Sequence, residues 1–193
     1  LFFIIQASAA GLANHPETVA AMAKANFRIV YVGFEAMLPN RLQAMAKPTS
    51  PEVNRRAAAF VRQHGMGLIA GLIVGYPKDT AATVRANFRA VQRQLRPDLM
   101  YPLYLTPYPK TELREEMLAA GLVVNPDDFS RYDAYTCNIR TRHLSQNQLY
   151  RVLRQEMVLS FFYPPVIFGN WFIRHCGWAF LTAMVQHLAI ILW

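Results

Sequence analysis

The sequence predicts an α/β protein, with a parallel sheet flanked by helices and further helices at the C-terminal end. Three observations predict this fold. Short runs of almost continuous apolar residues recur, amphipathic stretches lie between them, and the character of the chain changes near residue 125. Continuous apolarity is typical of strands that are covered on both faces, as in parallel sheets. The runs are Leu1 to Ala7, Ile29 to Phe34, Leu68 to Val74 and Leu99 to Leu105.

The stretches between these runs carry the start and stop signals of helices. Polar residues that can cap a helix precede each stretch, and glycine or proline follows most of them. The candidate caps are Asn14, Thr49 or Ser50, Thr80 and Thr111. Alternating strands and helices are typical of right-handed βαβ units. Four strands are too few to close an eight-stranded barrel, so an open sheet and one part of a barrel are both compatible with the pattern.

We divide the chain into residues 1–125, which carry the βα units, a helical extension over 126–163, and an apolar C-terminal helix over 164–193. Ser145 caps the predicted helix of the extension. Gly177 to Trp193 contains no charged residue, yet its 17 residues fall short of the roughly 20 that a membrane-spanning helix needs. Membrane contact through residues 171–193 and packing against the rest of the protein are both open.

The charge and the cysteine content of the chain indicate which kinds of partner and which cellular location it is suited to. The formal charge is +8, which suits anionic partners but equally fits a solvated basic surface. No cluster of aromatic and basic residues resembles an RNA-binding signature, so we expect no nucleic-acid partner. Cys137 and Cys176 lack metal-ligand spacing and make no disulfide framework, which favours a reducing, cytoplasmic location and predicts no metal site within the chain.

Polar or conformationally special residues follow each predicted strand. Active sites of parallel βα folds gather at the carboxyl ends of the strands, so we expect these residues to share one rim. They are Gln6 and Ser8 after the first strand, Glu35 after the second, Gly71, Gly75 and Pro77 around the end of the third, and Tyr108 after the fourth.

Each of these residues also has a purely structural interpretation. Glu35 can form a salt bridge with Arg41 or Lys47 instead of contacting a ligand. The two glycines of the third strand can serve a tight strand-to-helix turn, with Asp79 as a helix cap. Tyr108 lies in a stiff Pro-Tyr-Pro segment and can simply be packed.

The order and spacing of these stretches resemble the radical S-adenosylmethionine superfamily, over roughly residues 1–135. The matching segments are Val32 to Glu35, Leu42 to Thr49, His64 to Met66, Gly71 to Thr80, Arg96 to Asp98 and Thr106 to Leu113. Thr106 to Met117 and Asn125 to Tyr132 look like the cobalamin-binding branch, which includes enzymes similar to the anaerobic magnesium-protoporphyrin ester cyclase.

The resemblance implies the later strands of a partial, six-stranded (β/α) barrel that binds S-adenosylmethionine at a [4Fe-4S] cluster and acts on a small-molecule substrate. In such a barrel Glu35, with Gln6 or Ser8, would contact the ribose or methionine end of S-adenosylmethionine. Lys47 would meet the methionine carboxylate. Gly71, Ile73 and Gly75 would lie against adenine and ribose, Pro77 would shape the turn, and Tyr108 would lie near the substrate.

The chain departs from the family pattern in one decisive respect. The CxxxCxxC motif that holds the cluster is absent from the 193 residues. We therefore expect a C-terminal fragment that is inactive alone, with the cluster ligands and any cobalamin-binding domain outside this chain. Two other functions remain open: another βα-barrel enzyme that acts on a small anion, and a non-catalytic membrane-associated module.

Overall fold

The computed structural model describes residues 1–44, 49–163 and 169–192. Its centre is a sheet of four parallel strands that lie side by side in chain order. The strands are β1 (Phe3–Ser8), β2 (Phe27–Glu35), β3 (Gly67–Val74) and β4 (Leu99–Tyr104). The register pairs Ser8 with Gly33 and Gly33 with Gly71, so the carboxyl ends of the first three strands lie at the same edge of the sheet, with β2 and β3 extending beyond the end of β1.

Helices connect the strands and cover one face of the sheet. They are α1 (Ala9–Asn14), α2 (Pro16–Lys24), α3 (Pro39–Ala44), α4 (Pro51–Gln63), α5 (Ala81–Leu95) and α6 (Glu112–Ala119). A 3-10 turn (Phe129–Arg131) follows, and then come α7 (Gln146–Phe161) and α8 (Trp171–Leu192). Helix α7 packs against α5 and β4, and α8 contacts α7 and β3.

Side-chain caps fix where several helices begin. The hydroxyl groups of Ser50, Thr80, Thr111 and Ser145 each accept a hydrogen bond from a backbone N–H in the first turn. Of the two candidates before α4, Ser50 is the cap. The first helix boundary differs from the prediction: α2 begins at Pro16 after His15, and an additional short helix, α1, occupies residues before it.

The two faces of the sheet differ in burial. Val30, Val32 and Phe34 of β2 are fully buried beneath the helices. The alternate residues Tyr31 and Glu35 are only half-buried on the opposite face. Side chains of a strand alternate between faces, so one face of the sheet forms the core and the other remains partly open.

The predicted fold class is confirmed. The strands are parallel and the helices flank one face, as in part of a (β/α) barrel, and no barrel closure occurs among the described residues. Within the described ranges, no helix combines the length and apolarity needed to cross a bilayer. Helix α8 is interrupted by a kink at Gly177, whose φ is 54°.

Candidate functional site

Glu35 ends β2 in a backbone irregularity that turns its side chain over the open face of the sheet. The register slips between Gly33 and Glu35, and Glu35 has a φ of 64°. The carboxylate folds back toward Gly33, because a Cβ atom at residue 33 would lie only 2.9 Å from Oε1 of Glu35. The bulge therefore presents a carboxylate at the carboxyl edge of the sheet, and Gly33 provides the space for it.

Tyr31 lies over Gly71 on the same open face. A Cβ atom at residue 71 would come within 2.4 Å of the Tyr31 hydroxyl oxygen. Glycine in a strand marks a close approach, and here the approaching group is the tyrosine ring of the neighbouring strand. A ligand that lies against Gly71 would therefore also touch Tyr31.

Three tyrosines form a row across the open face. The rings of Tyr31 and Tyr101 meet edge to face at 5.7 Å between centroids, and those of Tyr101 and Tyr135 meet at 6.0 Å. The Tyr101 and Tyr135 hydroxyl groups are hydrogen-bonded to each other. This hydrogen bond is the main cause that raises the pKa of Tyr101 to about 12. Burial and then the negative charge of Glu35 raise the pKa of Tyr31, so Tyr31 and Tyr101 are neutral at physiological pH.

The turn after β3 is held by Asp79. Its Oδ2 accepts hydrogen bonds from the backbone N–H groups of Gly75 and Tyr76, both at 3.0 Å. Gly75 has a φ of 102°, and a Cβ atom there would lie 2.4 Å from Cδ1 of Ile139. Gly75 is therefore required both by the backbone conformation and by packing against Ile139.

A buried ion pair joins this turn to α3. Arg41 pairs with Asp79, and the two side chains are only 7% and 4% exposed. The Arg41 guanidinium also lies 5.9 Å from the centroid of the Tyr76 ring. Burial and then the charge of Glu35 raise the pKa of Tyr76. Glu35 thus acts electrostatically on both Tyr31 and Tyr76, which links the end of β2 to the turn after β3.

The structure brings several of the predicted site residues to one edge. Glu35, Gly71 and Gly75 lie on adjoining strand ends, and Gln6 and Ser8 are exposed on the neighbouring β1. Ser8 has a further role, because its hydroxyl caps α1 by accepting a hydrogen bond from Gly11. Gln6 pairs in register with Tyr31.

The other predicted residues are placed as follows. Ile73 is half-buried and pairs in register with Leu103 of β4, and the carbonyl of Pro77 accepts a hydrogen bond from the backbone of Arg142. Tyr108 is 49% exposed after β4; its backbone N–H donates to the carbonyl of Thr106, and its carbonyl accepts from the hydroxyl of Thr111. Lys47 lies outside the described residues.

Two features of this edge were missed from the sequence alone. Tyr31 is hidden inside an apolar run, and only its pairing opposite a glycine-bearing strand would have marked it. Arg41, one of the two salt-bridge partners that the sequence offers for Glu35, pairs instead with Asp79, the predicted helix cap. Among the described residues, no group of three His, Cys, Asp or Glu side chains could hold a metal ion.

Comparisons with known proteins support the resemblance. No protein-family model matches the chain. It is 24% identical over 157 residues to the uncharacterized methyltransferase PH0819 of Pyrococcus horikoshii, a match that covers 80% of this chain and 33% of that protein. It is 29% identical over 126 residues to the anaerobic magnesium-protoporphyrin IX monomethyl ester cyclase of Rubrivivax gelatinosus, covering 65% of this chain and 22% of the cyclase.

A solved structure shares the fold. It is the radical S-adenosylmethionine methyltransferase TsrM from Kitasatospora setae, determined with cobalamin and a [4Fe-4S] cluster bound. The TM-score is 0.54 at 21% identity, over 62% of this chain and 22% of that one. The chain spans a third or less of the length of the relatives that it matches. The sequence relatives and the shared fold show that the chain is similar to enzymes of the radical S-adenosylmethionine superfamily.

Proposed function

We propose that the chain is part of an enzyme that binds S-adenosylmethionine along the carboxyl edge of this sheet and cleaves it reductively at a [4Fe-4S] cluster, for radical-based biosynthesis or methylation of a small molecule. The observation that carries the proposal is the placement of the Glu35 carboxylate over Gly33, beside Tyr31 and the Asp79-held turn. A carboxylate and exposed polar groups on adjoining strand ends suit the hydroxyl and ammonium groups of a nucleoside–amino acid conjugate.

In this proposal, the residues of the carboxyl edge contact different parts of S-adenosylmethionine. Glu35 would accept hydrogen bonds from ribose hydroxyls or the ammonium group, with Gln6 or Ser8 beside it. Gly71, Ile73 and Gly75 would face adenine and ribose, and Pro77 would shape the turn. Lys47 would meet the methionine carboxylate, and Tyr108 would lie toward the substrate.

The cluster would be held by other residues. Cys137 is buried and Cys176 lies on α8, and the two do not form a CxxxCxxC motif. When bound, the cluster supplies the electron that cleaves S-adenosylmethionine. We propose cobalamin as an additional cofactor, and TsrM, which has the same fold, was solved with cobalamin bound. We therefore expect the isolated chain to bind S-adenosylmethionine without cleaving it.

Equilibrium binding tests this proposal. We expect S-adenosylmethionine to bind the chain in isothermal titration calorimetry, and Glu35→Gln to weaken binding about tenfold, because a charged acceptor is lost. Glu17→Gln, which changes an exposed carboxylate of α2, is the matched control and should leave binding unchanged. Equal binding by wild type and Glu35→Gln would contradict the assignment of Glu35, and formation of 5′-deoxyadenosine by the chain alone would contradict the assignment of the cluster to other residues.

We also propose a cytoplasmic location with membrane contact through residues 171–193. Helix α8 is apolar over most of its length and carries free Cys176 on its exposed surface, which suits a reducing compartment. Fractionation of cells that express the protein with and without residues 170–193 tests the contact. Equal distribution of the two forms between membrane and soluble fractions would argue against it.

A further inference from the structure

A cavity of about 510 Å³ lies between α5 and α7, and arginines dominate its walls. Arg85 and Arg89 come from α5, and Arg151 and Arg154 come from α7. Their spacing of three or four residues on each helix places both members of a pair on one helical face. The remaining lining residues are Gln155, Glu156, Val158 and Leu159.

The charge of this cavity is poorly compensated. Glu156 is the only carboxylate among its described lining residues, so four arginines against one glutamate leave a formal charge of +3. Glu156 is 6% exposed, and its Oε1 lies 3.5 Å from Nε of Arg85. Arg85 also donates from Nη2 to Oε1 of Gln155 at 3.2 Å. Glu156 and Gln155 thus hold Arg85 in place, while the excess positive charge favours an anion.

Apolar side chains continue the same face of α7 beyond the arginines. Arg151, Gln155, Leu159 and Phe162 are all exposed, at helical spacings of four, four and three residues. Leu159 and Phe162 are each 60% exposed, although both are large apolar side chains. One face of the helix therefore passes from positive charge to exposed apolar surface within three turns.

We propose that this face, formed by the four arginines with Leu159 and Phe162, binds the surface of an anionic lipid bilayer. Arginines that point to phosphate headgroups, next to apolar side chains that enter the acyl boundary, are the pattern of an interfacial helix. The two features are adjacent, since Leu159 also lines the arginine cavity. The inference is independent of the proposed catalytic function and uses a surface separate from residues 171–193.

Vesicle co-sedimentation of the whole chain tests the role of charge. We compare vesicles of phosphatidylcholine alone with vesicles that contain about 30 mol % phosphatidylglycerol. Arg89→Gln with Arg151→Gln should weaken binding to the anionic vesicles by roughly tenfold or more, because each arginine near such a surface contributes several-fold. Arg28→Gln with Arg56→Gln removes the same charge from exposed positions elsewhere and should have a much smaller effect. Equal losses in the two double variants would overturn the proposal.

A second pair of variants tests the apolar part. Leu159→Ser with Phe162→Ser leaves the net charge unchanged and should also weaken vesicle binding, with circular dichroism confirming that α7 still folds. High salt should release the wild-type protein, since exposed charges are screened. Unchanged binding in both the arginine and the apolar variants would overturn the proposal. Binding to a single-stranded RNA oligonucleotide in preference to anionic vesicles would also overturn it.

Discussion

The hydroxyl group of Tyr31 occupies the space that a side chain at residue 71 would need. A Cβ atom at position 71 would lie 2.4 Å from the hydroxyl oxygen and 2.8 Å from Cζ of Tyr31. The third strand therefore needs glycine here because of a tyrosine on the second strand. This contact positions Tyr31 beside Glu35 and at the start of the tyrosine row.

Gly71→Ala should destabilise the protein by about 1–3 kcal/mol, because the added methyl group forces the Tyr31 ring out of a packed arrangement. Urea unfolding measures the change. In a Tyr31→Ala background the same substitution should cost much less, since the obstructing ring is gone. Equal costs of Gly71→Ala in the two backgrounds would show that Tyr31 does not set the requirement for glycine.

Strand runs and helix caps could be read from the sequence because they depend on local chemistry. Ser50, Thr80, Thr111 and Ser145 lie before apolar periodic stretches, and each caps its helix in the structure. Hydroxyl groups at such positions satisfy backbone N–H groups whatever the tertiary fold is. The fold class followed from the same local patterns.

Pairwise contacts between distant segments could not be read in this way. The pairing of Arg41 with Asp79, and of Tyr31 with Gly71, depends on strand register and on the path of a loop. The short helix α1 was missed for a related reason: Ser8, which caps it, was interpreted only as a residue of the strand end. A single sequence does not specify which of two roles a polar residue takes.

Gly75→Ala should be among the most destabilising single changes near the site, at about 2–4 kcal/mol. The substitution combines a φ of 102° with a clash of 2.4 Å against Cδ1 of Ile139. Gly65→Ala is the matched control, since Gly65 has a φ of 70° and open space around its Cβ position, and should cost about 1 kcal/mol. Thermal and urea unfolding measure the stability of both variants. Similar losses of stability would mean that the Ile139 side chain moves to accommodate the added methyl group.

Asp79→Asn should lower stability by roughly 3–5 kcal/mol, because it leaves the buried guanidinium of Arg41 without its counter-charge. Asparagine keeps one oxygen that can accept hydrogen bonds from the backbone of the turn. The substitution therefore measures the effect of removing the negative charge alone. Glu52→Gln removes the carboxylate of an exposed ion pair with Arg55 and should change stability very little. Urea unfolding at neutral pH measures both variants.

Adding Arg41→Met to Asp79→Asn tests the same relationship from the other side. Removal of both charges should recover part of the stability that Asp79→Asn loses, since no unpaired buried charge remains. A double variant that is less stable than the sum of the two single changes would indicate that Arg41 is held by other groups.

Cys137 should resist alkylation in the folded protein, whereas Cys176 should react. Burial raises the pKa of the Cys137 thiol to about 11, because the thiolate is disfavoured away from water. At pH 8 only about one thiol in a thousand would then be ionised, and the thiolate is the reactive form. Since the pKa is raised, reactivity should appear only as the pH approaches 11 or as the protein unfolds. Cys176 is exposed on α8, so the reagent can reach it.

Mass spectrometry after a brief treatment with iodoacetamide at pH 8 should show one modification in the native protein and two in urea. Cys176→Ser should show none in the native state, and Cys137→Ser should still show one. Rapid native labelling of Cys176→Ser would mean that Cys137 is accessible and that its packing beside Ile139, whose carbonyl accepts from its thiol at 3.4 Å, opens readily. Because Ile139 also packs on Gly75, the rate of that opening reports on the stability of the turn after β3.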